Sequence, residues 1–117
     1  MTDCIFCKIA LKKISAKVLY EDEVSVAFED IHPQAPVHVL VIPKKHISKI
    51  LEIEEEDNAL IGHLFQVANK IAREKGIAES GFRLMVNCNS DGGQVIYHLH
   101  LHLLGGRPIG PMVCRHF

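Results

Sequence analysis

Apolar side chains recur along this chain with two different periods, and the switches between them outline its elements. Across residues 55–75, Leu60, Ile61, Leu64, Val67, Ala68, Ile71 and Ala72 fall on one stripe at helical spacing. The stripe predicts one long helix, closed by Gly76 at the C′ position. The acidic run 54–57 reads as its solvated start, where negative charge suits the helix dipole, and His63 as a partly exposed residue within it. Elsewhere the period is two. Val24, Val26 and Phe28 alternate with Ser25, Ala27 and Glu29, the pattern of a half-buried strand. Val37, Val39 and Val41 share one face of a strand that carries His38 on the other and ends at Pro43. Strands are expected at 17–20, 24–29, 37–42, 82–88 and 97–104, and a short helix at 4–11 with Asp3 as its N-cap. Five strands, one main helix and short connections make an α+β domain with a mainly antiparallel sheet.

Length and composition narrow the function. A chain of 117 residues with 48% hydrophobic and 23% charged positions is one ordered domain, taken as residues 1–117. A core of that size is small, so an oligomer interface would supplement it. Thirteen basic residues against fourteen acidic ones argue against a broad cationic face for nucleic acid. No apolar run is long enough for a membrane helix, and the first residues lack signal-peptide order, so a cytoplasmic protein is expected. Cysteines at 4, 7, 88 and 114 do not read as a disulfide framework. The eight histidines are the compositional oddity, and three of them fall within five residues.

In His98-Leu99-His100-Leu101-His102-Leu103-Leu104, strand alternation places three imidazoles on one face and leucines on the other. Three readings are open: a solvent-facing strand, a three-histidine metal centre, and nucleophilic catalysis. Neutral imidazole is a competent nucleophile near pH 7, provided its second nitrogen donates to a fixed acceptor such as a backbone carbonyl. A neighbouring histidine can then serve the leaving group. The preceding loop suits phosphate chemistry: Gly92-Gly93 permit close approach of backbone N–H groups, and Gln94 offers an amide donor.

This segment resembles the His-φ-His-φ-His-φ-φ signature of the histidine triad hydrolases. Asp91-Gly92-Gly93-Gln94, Leu104-Gly105-Gly106-Arg107, Asp30-Ile31-His32-Pro33-Gln34-Ala35-Pro36 and Ile42-Pro43-Lys44-Lys45-His46-Ile47-Ser48 resemble the nucleoside phosphoramidase branch, so the likeness spans all but the last ten or so residues. The resemblance implies two helices on a five-stranded antiparallel sheet, paired as a homodimer with a continuous ten-stranded sheet. It implies that His100 attacks the α-phosphorus of a purine nucleoside monophosphate derivative and carries the nucleotidyl group. His102 would contact the phosphate and help the leaving group depart, with His98 and His38 in support. Asn87, Gly93, Gln94 and the backbone at Val95 would hold the phosphate, Asp30 the ribose, and Phe6 and Ile31 the base. No catalytic metal is required, since imidazole and N–H donors can stabilise the transferring charge.

Cys4-Ile5-Phe6-Cys7 has zinc-knuckle spacing; two buried cysteines are the simpler alternative. A redox role fails on position, because no strand precedes residue 4. Cys88 and Cys114 are too far apart to act as a second pair. The family resemblance implies a structural zinc on Cys4, Cys7, His46 and His98. Three functions therefore compete: a nucleoside phosphoramidate hydrolase, a dinucleoside polyphosphate hydrolase, and a zinc-containing purine nucleotide-binding protein with little turnover. Gly105-Gly106-Arg107 favours the first. Val95 departs from the polar residue that this branch often carries, which points to a preference for more apolar leaving groups.

Overall fold

The computed structural model describes residues 3–113, so Cys114 and His116 lie outside the described residues. Strands β1 (Val18–Glu21), β2 (Ser25–Glu29), β3 (Val37–Pro43), β4 (Phe82–Met85) and β5 (Leu101–Gly105) form one antiparallel sheet in the order β1-β2-β3-β5-β4. Helices α1 (Ile5–Ala10) and α2 (Asn58–Glu74) cover opposite faces. The α+β architecture agrees with the expectation from the sequence.

The sheet's alternation decides which face each side chain serves. Val39 and Val41 of β3 join Ala27, Leu101 and Leu103 under Leu64, Val67, Ala68, Ile71 and Ala72 of α2. Leu40 and Ile42 point the other way, with Val26 and Phe28, toward Phe6 and Ile9 of α1. Burying a side chain such as Leu64 or Ile71 contributes about 1.5–3 kcal/mol relative to exposure. The end of α2 follows the sequence reading: Gly76 takes φ +73°, its N–H donates to the Arg73 carbonyl, and the Ile77 N–H donates to Ala72. That pair of bonds satisfies carbonyls the helix itself leaves open.

Several boundaries differ, each for a physical reason. The cap of α1 is Cys4, whose Sγ accepts the Cys7 N–H at 3.3 Å, and not Asp3. Strand β2 is buried on both faces, because it lies between β1 and β3 with a helix on each side; Val24 is outside it and exposed. A 3₁₀ turn at Glu55–Asp57 precedes α2. Asp57 there is buried rather than solvated, accepting from Lys45 Nζ at 2.7 Å and from the Glu54 N–H at 2.9 Å. The histidine of α2 is partly exposed as expected but also anchored: His63 Nε2 lies 2.6 Å from Asp22 Oδ2 in the β1–β2 turn. Strand β4 stops at Met85, and β5 begins only at Leu101. His98, in a bend, and His100 thus precede the paired strand. No described helix is long and apolar enough to cross a membrane.

Candidate functional site

The face under the short helix α1 holds the chemistry. His98 is fully buried, and its Nε2 donates to the Pro43 carbonyl at 2.8 Å. The Leu99 N–H donates to the Ile47 carbonyl at 2.7 Å, which fixes the segment ahead of β5. His100 Nδ1 lies 2.7 Å from the His98 carbonyl oxygen, an atom that can only accept. The proton of His100 is therefore on Nδ1, and Nε2 presents a lone pair. Burial lowers the His100 pKa, against the opposing effect of the His98 carbonyl, so the ring is neutral at pH 7. His102 stands 4.9 Å from His100, centroid to centroid, and Phe6 meets His100 edge-on at 5.1 Å. Burial, followed by the neighbouring His100 and His38, pushes His102 down to about 4.

His38 projects from β3 onto the same face. Its Nε2 is 2.9 Å from His102 Nδ1 and 3.4 Å from Asp30 Oδ2, while its Nδ1 accepts the Gln34 backbone N–H at 3.0 Å. Burial lowers its pKa too, with Asp30 opposing. The other Asp30 oxygen accepts the His32 N–H at 2.8 Å.

A cavity of about 450 Å³ opens beside these rings, the size of a small-molecule site. Of the residues singled out in the sequence, it gathers Phe6, Asp30, Ile31, His38, Asn87, Gly93, Val95, His100 and His102 on its wall. Val95 and Ile31 stand more than four-fifths exposed at its rim. Sequence reasoning missed Ile5, Ile9, Ile14, Gln34 and Ile96, which also line it. The apolar residues of α1 carried a signal in their spacing, but which face of the sheet they cover is a tertiary fact.

Two expectations need correction. The Gln94 side chain is buried and does not reach the cavity: its Nε2 donates to the Ser48 and Ile96 carbonyls at 2.9 and 3.1 Å, and its Oε1 accepts the Asn89 N–H at 2.9 Å. With both amide protons committed, it shapes the loop and has none left for a phosphate. The backbone N–H groups of Gly93 and Gln94 are likewise used within the turn, by Ser90 and Asn89. Gly92 has its own reason to be glycine, since a Cβ there would lie 2.4 Å from the Cys88 carbonyl oxygen. Asn87 donates to the Gly92 carbonyl and so carries the loop at the cavity wall.

His98 belongs to a different cluster from the cavity rings. Its Nδ1 is 3.3 Å from Cys4 Sγ, 3.5 Å from Cys7 Sγ and 3.2 Å from His46 Nδ1, and Cys7 Sγ is 3.3 Å from His46 Nδ1. Tetrahedral ligands at zinc distances stand roughly 3.3–3.8 Å apart, so this donor set fits a four-coordinate ion. The Pro43 carbonyl takes the Nε2 proton of His98 and leaves Nδ1 free as a ligand, the arrangement metal-binding histidines use. These four residues can hold a metal ion. A three-histidine centre does not form, because His98 turns toward the cysteines while His100 and His102 face the cavity.

The HIT domain family's sequence profile matches residues 12–109. A purine nucleoside phosphoramidase of Escherichia coli (strain K12) is 47% identical over 111 residues, covering 95% of this chain and 93% of its own. A HIT family hydrolase from Clostridium thermocellum superposes with a TM-score of 0.94 at 46% identity, covering 97% of this chain and 99% of that one. A HIT family hydrolase from Legionella pneumophila Philadelphia 1 gives 0.89 at 50% identity, covering 92% and 100%.

Proposed function

The chain belongs to the HIT domain family, and on that premise we propose that it hydrolyses purine nucleoside phosphoramidates through a nucleotidyl–histidine intermediate. One observation carries the reading. The His98 carbonyl fixes the His100 proton on Nδ1, leaving a neutral Nε2 lone pair at the wall of a ligand-sized cavity. That nitrogen attacks the α-phosphorus, forming an N–P bond as the substrate's P–N bond breaks, and the amine leaves with a proton from solvent. Water then cleaves the intermediate, releases the nucleoside monophosphate and a proton, and restores His100. His102 contacts the phosphate, Asp30 meets the ribose, and Phe6 and Ile31 flank the base. The 47% identity to a purine nucleoside phosphoramidase supports this substrate class over a dinucleoside polyphosphate.

We propose further that the metal Cys4, Cys7, His46 and His98 would hold is zinc. With four protein ligands it is structural, tying α1 to the segment that carries His100. A second copy of the chain pairs along the edge strand β4, whose four residues are half-buried, to continue the sheet. Single-turnover hydrolysis of a fluorogenic adenosine phosphoramidate, compared with a dinucleoside polyphosphate, tests the activity. Accumulation of a nucleotidylated chain, lost in His100→Ala, is the expected result. Metal analysis of protein purified without chelator should find one zinc per chain, and Cys4→Ser should lose it along with thermal stability. Bound nucleotide without any turnover would favour the binding-protein alternative.

A further inference from the structure

Among the described residues a second group has metal-ligand composition: one oxygen of Asp30 and one nitrogen each of His38 and His102 lie within 4.8 Å of one another. Two histidines and a carboxylate can hold a divalent ion. The backbone behind His38 argues the opposite. We propose that the Gln34 N–H is a positioning group that fixes the proton of His38, and through it that of His102, making this cluster a hydrogen-bond relay and excluding a metal.

A backbone N–H only donates, so His38 Nδ1, 3.0 Å from the Gln34 nitrogen, must accept. The His38 proton then resides on Nε2. A doubly protonated His38 would set two donors against each other. From Nε2 the nearer partner is His102 Nδ1 at 2.9 Å, with Asp30 Oδ2 farther at 3.4 Å. His102 therefore accepts on Nδ1 and carries its own proton on Nε2. The chain runs from Gln34 N–H to His38 to His102 and delivers a neutral ring with one defined donor.

Metal binding would need the His38 Nε2 lone pair, and so the proton on Nδ1, facing the Gln34 N–H. The zinc cluster shows the converse wiring. There the group behind His98 is the Pro43 carbonyl, an acceptor, which frees Nδ1 as a ligand. A carbonyl behind one imidazole makes a ligand, and an N–H behind the other makes a donor.

The loop that supplies the N–H is braced. Arg107 Nη2 donates to the Gln34 carbonyl at 2.8 Å, and the Gln34 side chain donates to the His32 carbonyl at 3.2 Å. Gly106, at φ +93°, lets the chain pass Pro36, whose Cβ would be 2.8 Å from a side chain there. This gives Arg107 a second-hand role in the same relay.

The test replaces the Gln34 amide by an ester, which deletes the N–H and little else, in the zinc-loaded full chain. Long-range ¹H–¹⁵N correlation reads the tautomers directly. Wild type should show His38 and His102 both protonated on Nε2, and the ester should show His38 divided between its nitrogens. A wild-type His38 protonated on Nδ1, or an ester indistinguishable from wild type, overturns the proposal. Zn²⁺ added beyond the structural equivalent should leave the His38 and His102 signals of wild type unmoved. It should bind the ester about ten- to a hundredfold more tightly, the loss expected from one unmade hydrogen bond; equal affinities overturn the exclusion. The relay's part in turnover rests on the phosphoramidase reading, and there kcat should fall about three- to tenfold at unchanged KM. Unchanged kcat with altered tautomers overturns that part alone. A wild type without phosphoramidate turnover refutes the substrate, while the tautomer spectrum still decides the relay. Should the ester chain not refold, Arg107→Met loosens the same loop and should mix the His38 tautomers in the same direction.

Discussion

The two faces of the sheet solve opposite problems with the same strands. On one, the seventeen residues of α2 cover Ala27, Val39, Val41, Leu101 and Leu103 with an unbroken apolar layer. On the other, the six residues of α1 cover only Val26, Phe28, Leu40 and Ile42. The same face holds His38, His98 and His100, all buried, and α1 reaches two of them: Phe6 meets His98 and His100 edge-on, and Cys7 lies against His98. Burying imidazoles costs free energy unless each polar atom is paired, and among the described residues no buried side-chain nitrogen or oxygen lacks a partner. The long helix supplies a broad apolar layer, pinned at one edge by the His63–Asp22 pair. The short one leaves room for a cavity whose polar wall is held by backbone groups.

Substitutions should separate the faces. The largest effect is expected from Leu103→Ala, which empties the fully buried centre of the α2 face. Denaturant unfolding should show a loss of about 2–5 kcal/mol. The protein that stays folded should keep its His100 chemistry, and a specific loss of nucleotidylation would erase the distinction. On the other face, His100→Ala should lower phosphoramidate turnover at least about a hundredfold, about 2.7 kcal/mol in the barrier. Its nucleotide affinity should remain, and its unfolding free energy should move less than that of Leu103→Ala.

A third test addresses how α2 is pinned to the sheet's edge. Burial alone would raise the Asp22 pKa, but bonds from His63, the Val24 N–H, Tyr20 and Ser25 outweigh it and hold the carboxyl well below the usual range. The folded pKa thus lies below the unfolded value of about 3.9, and the unfolded chain binds more protons in acid. This contribution is complete above about pH 5 and is lost as pH falls through the unfolded value toward the folded one. Asp22→Asn should cost about 1–3 kcal/mol at pH 7 and flatten the acid limb of a stability titration. An unchanged acid limb would remove His63–Asp22 as the pin.

The smallest effect is expected at the cavity rim. Val95 is almost fully exposed there, offering an isopropyl group and no donor. Val95→Ser should raise the rate for amine leaving groups by up to about tenfold, a single hydrogen bond's worth, and change alcohol leaving groups less. Equal ratios in steady-state assays of both substrate classes would assign Val95 to shaping the chain alone.

Much of this was legible in one dimension because it depends on local period. The helical stripe from Leu60 to Ala72, the Gly76 stop and the His-Leu alternation each follow from nearest neighbours along the chain. The Cys4-x-x-Cys7 spacing put two thiols within reach of each other for the same reason. Burial was less legible. The acidic run before α2 reads as solvated, yet Asp57 is buried because Lys45, twelve residues away, reaches it. Strand ends were misplaced where pairing, and not pattern, decides them: β4 runs out at Met85, opposite His102.

The sequence by itself determined that His100 and His102 share a side, since they stand two apart, whereas His98, in the bend ahead of β5, turns to Cys4 and Cys7. The folded backbone decided what each imidazole can do. A neutral imidazole has one donor and one acceptor, and its identity is set by the group that meets its far nitrogen. Pro43 meets His98 with a carbonyl, His98 meets His100 with a carbonyl, and Gln34 meets His38 with an N–H. Pro43 is brought to His98 from 55 residues away by packing, whereas the other two partners lie four and two residues from the rings they meet and are placed by the local turn of the backbone. They carry no side-chain signal, because every residue but proline offers the same carbonyl and N–H.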